Sequence, residues 1–185
     1  MGAWRLLGAY EGFEVVYFRT DDDGRVFDGT SVGMEEGVAW SIHYVIHVGR
    51  DWCVRRATAT DRAGSRVVVH TDGAGSWTIN GEPRADLEGC LDLDFEASVV
   101  TNTLPVHRLQ LSVGARGKSA AAYVRINQLA VERLDQTYRR LPNESGKLAF
   151  DYESPRFGYH DKLLFGLDGL AVNYPGIGAR VALKA

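Results

Sequence analysis

Apolar and polar residues alternate with a period of two along most of this chain, the pattern of strands that bury one face. Residues 38–48 show it most cleanly. Trp40, Ile42, Tyr44, Ile46 and Val48 line one face there, and Ala39, Ser41, His43, Val45 and His47 the other. Before them, residues 12–20 are rich in aromatic and β-branched side chains and stop at Asp21-Asp22-Asp23-Gly24, an acidic run that reads as a solvated hairpin tip. After them, a strand over residues 52–60 would put Trp52, Val54, Arg56, Thr58 and Thr60 on one face. Strands over residues 66–70 and 76–79 follow, bounded by Asp72-Gly73 and by Asn80-Gly81, whose tolerance of positive φ makes it a strong hairpin signal. Segments 119–126, 147–152, 157–167, 170–174 and 177–183 complete the series. Residues 127–141 fit both periods: Leu134, Tyr138 and Leu141 have helical spacing, while Val131, Thr137 and Tyr138 favour a strand, the preferred reading.

One stretch departs from this monotony. In residues 89–96, Cys90, Asp92, Asp94 and Glu96 share a face and Leu91, Leu93 and Phe95 share the other. The plain reading is an antiparallel strand with a wet acidic face and an apolar core face. A sharper reading places Asp92 and Asp94 inside a curved sheet, facing Arg108 and Arg125, where carboxylate and guanidinium would orient a polar head group. Cys90 on the acidic face argues for the second, because free cysteine is usually buried. The best helix candidate comes next, over residues 104–111, with Asn102 or Thr103 as N-cap and Pro105 in the first turn, where proline is tolerated.

With 21 glycines, frequent turn signals and one short helical run, the fold class is all-β, a sandwich or barrel. No linker or composition break divides the chain, so residues 1–185 are expected to form a single domain. An apolar share of 45% with 24% charged residues places the chain among ordinary folded proteins. A net charge of −3 argues against nucleic acid as a partner, which requires a concentrated basic surface. No run approaches the roughly 20 apolar residues of a membrane helix, so no integral membrane association is expected. The first residues carry no apolar signal-peptide core, and a cytoplasmic home is the expectation. Cys53 and Cys90 have neither metal-ligand nor redox spacing; they read as small buried hydrophobes, with a disulfide between them the less favoured alternative.

Candidate chemistry is sparse. His43 and His47 share a strand face but stand roughly 13 Å apart along it, too far for one metal ion. No Gly-x-Ser-x-Gly nucleophile elbow occurs. Asp92 and Asp94 meet the spacing of a hydrolytic carboxylate pair, about 5–9.5 Å, only as loosely as any two residues so placed on a strand. Gly73-Ala74-Gly75 lies between short strands, not at a strand-to-helix junction, and so cradles no phosphate. Neither a metal nor an organic cofactor is expected. Four tryptophans, eight tyrosines and seven phenylalanines are enough to line a pocket, although each alone is more simply core.

The residues resemble a family signature: Trp77 with Asn80-Gly81, then Leu87-x-Gly89-Cys90-x-Asp92-x-Asp94, then Thr101-Asn102-Thr103-Leu104-Pro105-x-x-Arg108-Leu109. Supporting matches are Asp28-Gly29, Asp51-Trp52, Tyr123-Val124-Arg125, Gln136-x-Tyr138, Tyr152-Glu153-Ser154, Phe157 and Asp168-x-x-Leu170-Ala171-Val172-Asn173-Tyr174-Pro175-Gly176. On these the chain is similar to the bacterial family named putative glycolipid-binding, formerly a domain of unknown function. The resemblance covers nearly the whole sequence. It implies a spiral β-roll, a long antiparallel sheet of some fifteen strands wrapped around a single α-helix, that forms homodimers and binds or carries a lipid or glycolipid. It supplies no catalytic residues.

The expected function is non-catalytic binding of a lipid-like or glycolipid molecule in an apolar cavity. Asp92, Asp94, Asn102, His107, Arg108 and Arg125 are the candidates for its polar end. Two alternatives use the same residues differently: an enzyme whose Asp/Arg pair works on a small apolar substrate inside the roll, and a solidly packed domain that only dimerises.

Overall fold

The computed structural model describes residues 1–8 and 11–182. Its strands are β1 (Gly2–Leu6), β2 (Glu11–Thr20), β3 (Gly24–Glu35), β4 (Val38–Gly49), β5 (Val54–Asp61), β6 (Arg66–Thr71), β7 (Trp77–Ile79) and β8 (Glu82–Pro83). They continue with β9 (Asp92–Phe95), β10 (Arg116–Val124), β11 (Val131–Glu144), β12 (Lys147–Ser154), β13 (Tyr159–Phe165), β14 (Ala171–Tyr174) and β15 (Gly178–Arg180). A 3-10 turn (Val100–Asn102) runs straight into α1 (Thr103–Leu109) between β9 and β10.

All these strands form one sheet in the order β8-β7-β6-β5-β4-β3-β2-β1-β15-β14-β13-β12-β11-β10-β9. Two series of hairpins therefore meet at a seam where the chain's ends pair, Trp4 opposite Arg180 and Leu6 opposite Gly178. The order also dictates curvature. Laid flat, the sheet would separate β8 from β9 by about 65 Å at roughly 4.8 Å per strand. Residues 84–91, which connect them, reach only about 30 Å when fully extended. The sheet must therefore roll up until its two edges approach. The connection is fastened on both sides: the Trp77 indole donates to Cys90 O at 2.8 Å, and Arg84 donates to Val131 O on β11 at 2.8 Å.

The chain segment through α1 lies inside this roll. Val99, Val100, Leu104 and Thr103 have no solvent exposure. Inward strand residues such as Trp4, Val16, Ile46, Val69, Leu93, Leu163 and Phe165 close around it.

The residue 38–48 alternation is realised: Ile42, Tyr44, Ile46 and Val48 point inward on β4. Asp21 turns the β2–β3 hairpin, its Oδ1 accepting the amides of Asp23 and Gly24. Residues 127–141 are strand over most of their length, as β11. Leu183, the end of the last expected strand, lies outside the described residues.

Three expectations need correction. The strand expected at 52–60 begins only at Val54, because Trp52 and Cys53 belong to the turn and the register shifts between His47 and Val48. That shift takes Val54, Ala57 and Ala59 inward and leaves Arg56 outward. The expected 89–96 strand shrinks to β9, which pairs parallel with β10, not antiparallel. Of the two readings of its acidic face the wet one fails and the inward one holds for Asp92, which is 1% exposed and bonded to Arg108. Asn102 and Thr103 do not cap α1; the helix is extended backward by the 3-10 turn, and Asn102 itself has helical φ and ψ. Cys53 and Cys90 are buried free thiols.

Candidate functional site

Three carboxylates converge on the segment entering and leaving α1, and each is held differently. Glu14 comes from β2 and has no solvent exposure. Its Oε1 accepts the hydroxyls of Tyr44 and Ser98, each at 2.5 Å, and its Oε2 accepts the amides of Val99 at 2.8 Å and Val100 at 3.2 Å. Those amides are the free donors at the start of the helical segment, so Glu14 supplies the cap that Asn102 does not. Burial raises its pKa, and the four hydrogen bonds oppose the rise. Tyr44 reaches it because Gly29, its neighbour across the β3–β4 pairing, leaves the ring room; a Cβ at Gly29 would stand 2.2 Å from the tyrosine ring.

Asp92 and Arg108 form a two-pronged pair. Arg108 Nε donates to Oδ1 at 3.0 Å and Nη2 to Oδ2 at 2.5 Å, while Ser119 Oγ donates to Oδ2 at 2.7 Å. Parallel pairing of β9 with β10 sets Asp92 opposite Ala121, close to Ser119, and α1 brings Arg108 back over it. Asp94 lies two residues further on the same face. Its Oδ1 accepts Thr101 Oγ1 at 2.6 Å and its Oδ2 accepts Gln136 Nε2 at 2.8 Å. Both partners are neutral, and burial pushes the Asp94 carboxyl up to about 6.

Asp94 borders a cavity of about 240 Å³. Its walls are largely aromatic: Tyr123, Tyr152, Phe157, Tyr159 and Tyr174, with Phe95, Leu134 and Ile177. The rings of Tyr152, Tyr159 and Tyr174 pack on one another with centroids 5.4–5.9 Å apart. Asn102, Ser98, Ser154 and Glu96 add polar atoms. Asn102 Oδ1 is taken by the Tyr138 hydroxyl at 2.7 Å. Phe157 is 48% exposed and stands with Tyr123, ring centroids 5.6 Å apart, at the open side.

Of the six residues singled out from sequence, the structure brings Asp94 and Asn102 to this cavity and pairs Asp92 with Arg108 behind it. Arg125 binds Glu96 at 3.0 Å and Glu132 at 3.6 Å, beside the cavity and not on the Asp pair. His107 points elsewhere. Its ring stacks on Trp52 with centroids 3.7 Å apart and a 3° interplanar angle, and burial lowers its pKa. Arg25 covers Trp52 with its guanidinium 4.1 Å from the ring.

Sequence reading missed Glu14 and Tyr159. In β2 the apolar residues Phe13, Val15 and Tyr17 alternate with Glu14, Val16 and Phe18, so period alone does not say which set faces inward. Tyr152, Phe157 and Tyr174 stood among the motif matches, but nothing local marked them as walls of one cavity.

Fold and site together define an all-β roll that encloses a helix and keeps an aromatic-walled cavity beside it. Residues 1–180 match the model of the family described as "Putative glycolipid-binding", and the chain belongs to that family. It is similar to the crystal structure of a DUF1089 family protein from Pseudomonas aeruginosa, with 28% identity over 91% of this chain and 92% of that one, at a TM-score of 0.76. No curated protein matches the chain.

Proposed function

We propose that this protein binds one end of a lipid-like or glycolipid molecule in the cavity beside Asp94, without catalysis. The observation that carries the reading is the cavity itself: aromatic walls, a few placed polar groups and an open side. Drug-sized ligands occupy clefts of roughly 300–1,000 Å³. At about 240 Å³ the cavity takes a head group or a single ring and leaves the remainder of a larger ligand outside. The family's description points to the same ligand class. The enzymatic alternative loses support because Asp92, the carboxylate it needs, has both oxygens occupied by Arg108 and Ser119. Native mass spectrometry of gently purified protein tests the reading. A co-purified lipid displaced from a Tyr159→Trp variant is expected; consistently empty protein with no lipid affinity would sink it.

The same reading includes a cytoplasmic homodimer. Phe13 and Val32 are cross-strand partners on the outer face of β2 and β3, 49% and 43% exposed, with Met34 nearby at 49%. Such an apolar strip is what a dimer contact covers. Sedimentation should give twice the chain mass, and Val32→Lys should halve it.

A further inference from the structure

We propose that the cavity beside Asp94 recognises an ammonium group, carried either by a lipid head or by an amino sugar. The proposal rests on this cavity being the ligand site, and it names the chemistry that the site selects.

Charge balance is the first reason. Among the described residues, the cavity lining contains two carboxylates, Asp94 and Glu96, and no lysine, arginine or histidine. Glu96 is answered by Arg125 at 3.0 Å and by the Ile126 amide at 2.9 Å. Asp94 is held by Thr101, Gln136 and the Phe95 amide, all neutral. Asp92, whose charge acts on Asp94, is itself anionic and is matched by Arg108. From the other elements packed around it come Tyr138 on β11, Tyr152 on β12 and Tyr174 on β14, whose burial keeps all three in the neutral phenol form. One carboxylate in the cavity therefore lacks a counter-charge, and a buried charge without one is costly.

The walls supply the second reason. Tyrosine and phenylalanine rings carry a negative face that attracts cations, which is how aromatic cages hold quaternary ammonium groups. Six such rings border the cavity: Phe95, Tyr123, Tyr152, Phe157, Tyr159 and Tyr174. The third reason is an unused polar atom. Ser154, among the lining residues, is 1% exposed, and its Oγ, beside the Tyr152 hydroxyl, makes no hydrogen bond of normal geometry. It can accept an N–H from a ligand. A phosphate or carboxylate would meet the opposite: Asp94 would repel it, and among the described residues no cation lines the cavity to hold it.

The experiment is calorimetric titration of the purified full-length protein with two cations, choline and glucosamine, and their uncharged counterparts, 3,3-dimethylbutan-1-ol and glucose. At least one cation should bind tenfold or more tightly than its counterpart; which one does so identifies a lipid head or an amino sugar as the source. Asp94→Asn keeps the shape, since the Gln136 amide can turn to accept from the new Nδ2, and should reduce cation affinity at least tenfold. Phe157→Leu, at the exposed mouth, should weaken it several-fold at unchanged melting temperature, which guards against a variant that merely misfolds. Because burial places the Asp94 pKa at about 6, affinity should also fall about tenfold between about pH 7.5 and pH 5 as the carboxylate is protonated. Equal binding of charged and uncharged probes would overturn the ammonium proposal while leaving a ligand site in place. Absence of binding by all four probes, with lipid still recovered by native mass spectrometry, would overturn it as well.

Discussion

At Glu14 a fully buried carboxylate accepts four hydrogen bonds, and each donor would be stranded by an apolar replacement. Glu14→Gln keeps the volume but puts an amide donor against two hydroxyls or two backbone amides. It should cost about 1–3 kcal/mol, read from chemical denaturation, and Glu14→Leu should cost more. Asp94 gives a prediction with a definite sign. Its folded pKa lies above the ordinary carboxylate value, so the native state binds the proton more readily than the unfolded chain. The stabilisation from protonation is complete at low pH and is lost as pH rises through about 6. Between about pH 4 and pH 7 the loss amounts to at most about 3 kcal/mol, less in so far as the cavity admits water. Asp94→Asn should flatten that part of the stability profile; an unchanged slope would assign it to another group, with Glu14, also raised, the first to examine.

At the scale of elements, α1 is too short to be stable alone, since isolated helices below roughly 12–15 residues are marginal. It holds because strands grip it at both ends: Glu14 from β2 at its start and Asp92 from β9 near its finish. Arg108→Met leaves Asp92 buried with one remaining donor and should destabilise by about 3–5 kcal/mol. Adding Asp92→Asn to it should recover part of the loss, as expected when a pair serves packing; a double variant no better than the single one would contradict this. The His107 end is pinned by the β13–β14 turn. Gly169 has φ +73°, and a Cβ there would stand 2.0 Å from His107 Nε2. Gly169→Ala should therefore lower the melting temperature clearly, and His107→Ala in the same chain should relieve the steric part but not the backbone strain.

For the whole molecule, the seam between β1 and β15 decides whether the two hairpin series act as one sheet. Trp4 sits on that seam with no solvent exposure, and its indole donates to Ala171 O at 2.7 Å, tying β1 to β14 across β15. Trp4→Ala should cost about 3–5 kcal/mol. Because the seam joins the chain's ends, the loss should appear as one cooperative transition at lower denaturant, with fluorescence and circular dichroism coincident. Two separated transitions would show that the hairpin series fold independently.

The strands, most of their turns and the one helix were legible in the sequence because they depend on neighbours: alternation along a strand, the positive φ of Asn80-Gly81, a proline admitted to the first turn of a helix. The all-β class and the weight placed on Asp92, Asp94 and Arg108 followed from the same local patterns and from the resemblance of the motif around them. Long-range contacts decided the rest. In β2 both faces are apolar enough to be buried, and only the arrival of Ser98, Val99 and Val100 turns Glu14 inward and leaves Phe13 and Tyr17 outside. For residues 89–96 the local pattern left a wet acidic face and an inward one both open, and the choice is made only where the roll brings Arg108 and Gln136 over their carboxylates. The cavity is the clearest case. Its tyrosines come from β10, β12, β13 and β14, all within five neighbouring strands of the sheet, and the cavity is completed only where Phe95, Ser98 and Asn102 from the enclosed segment are brought against them.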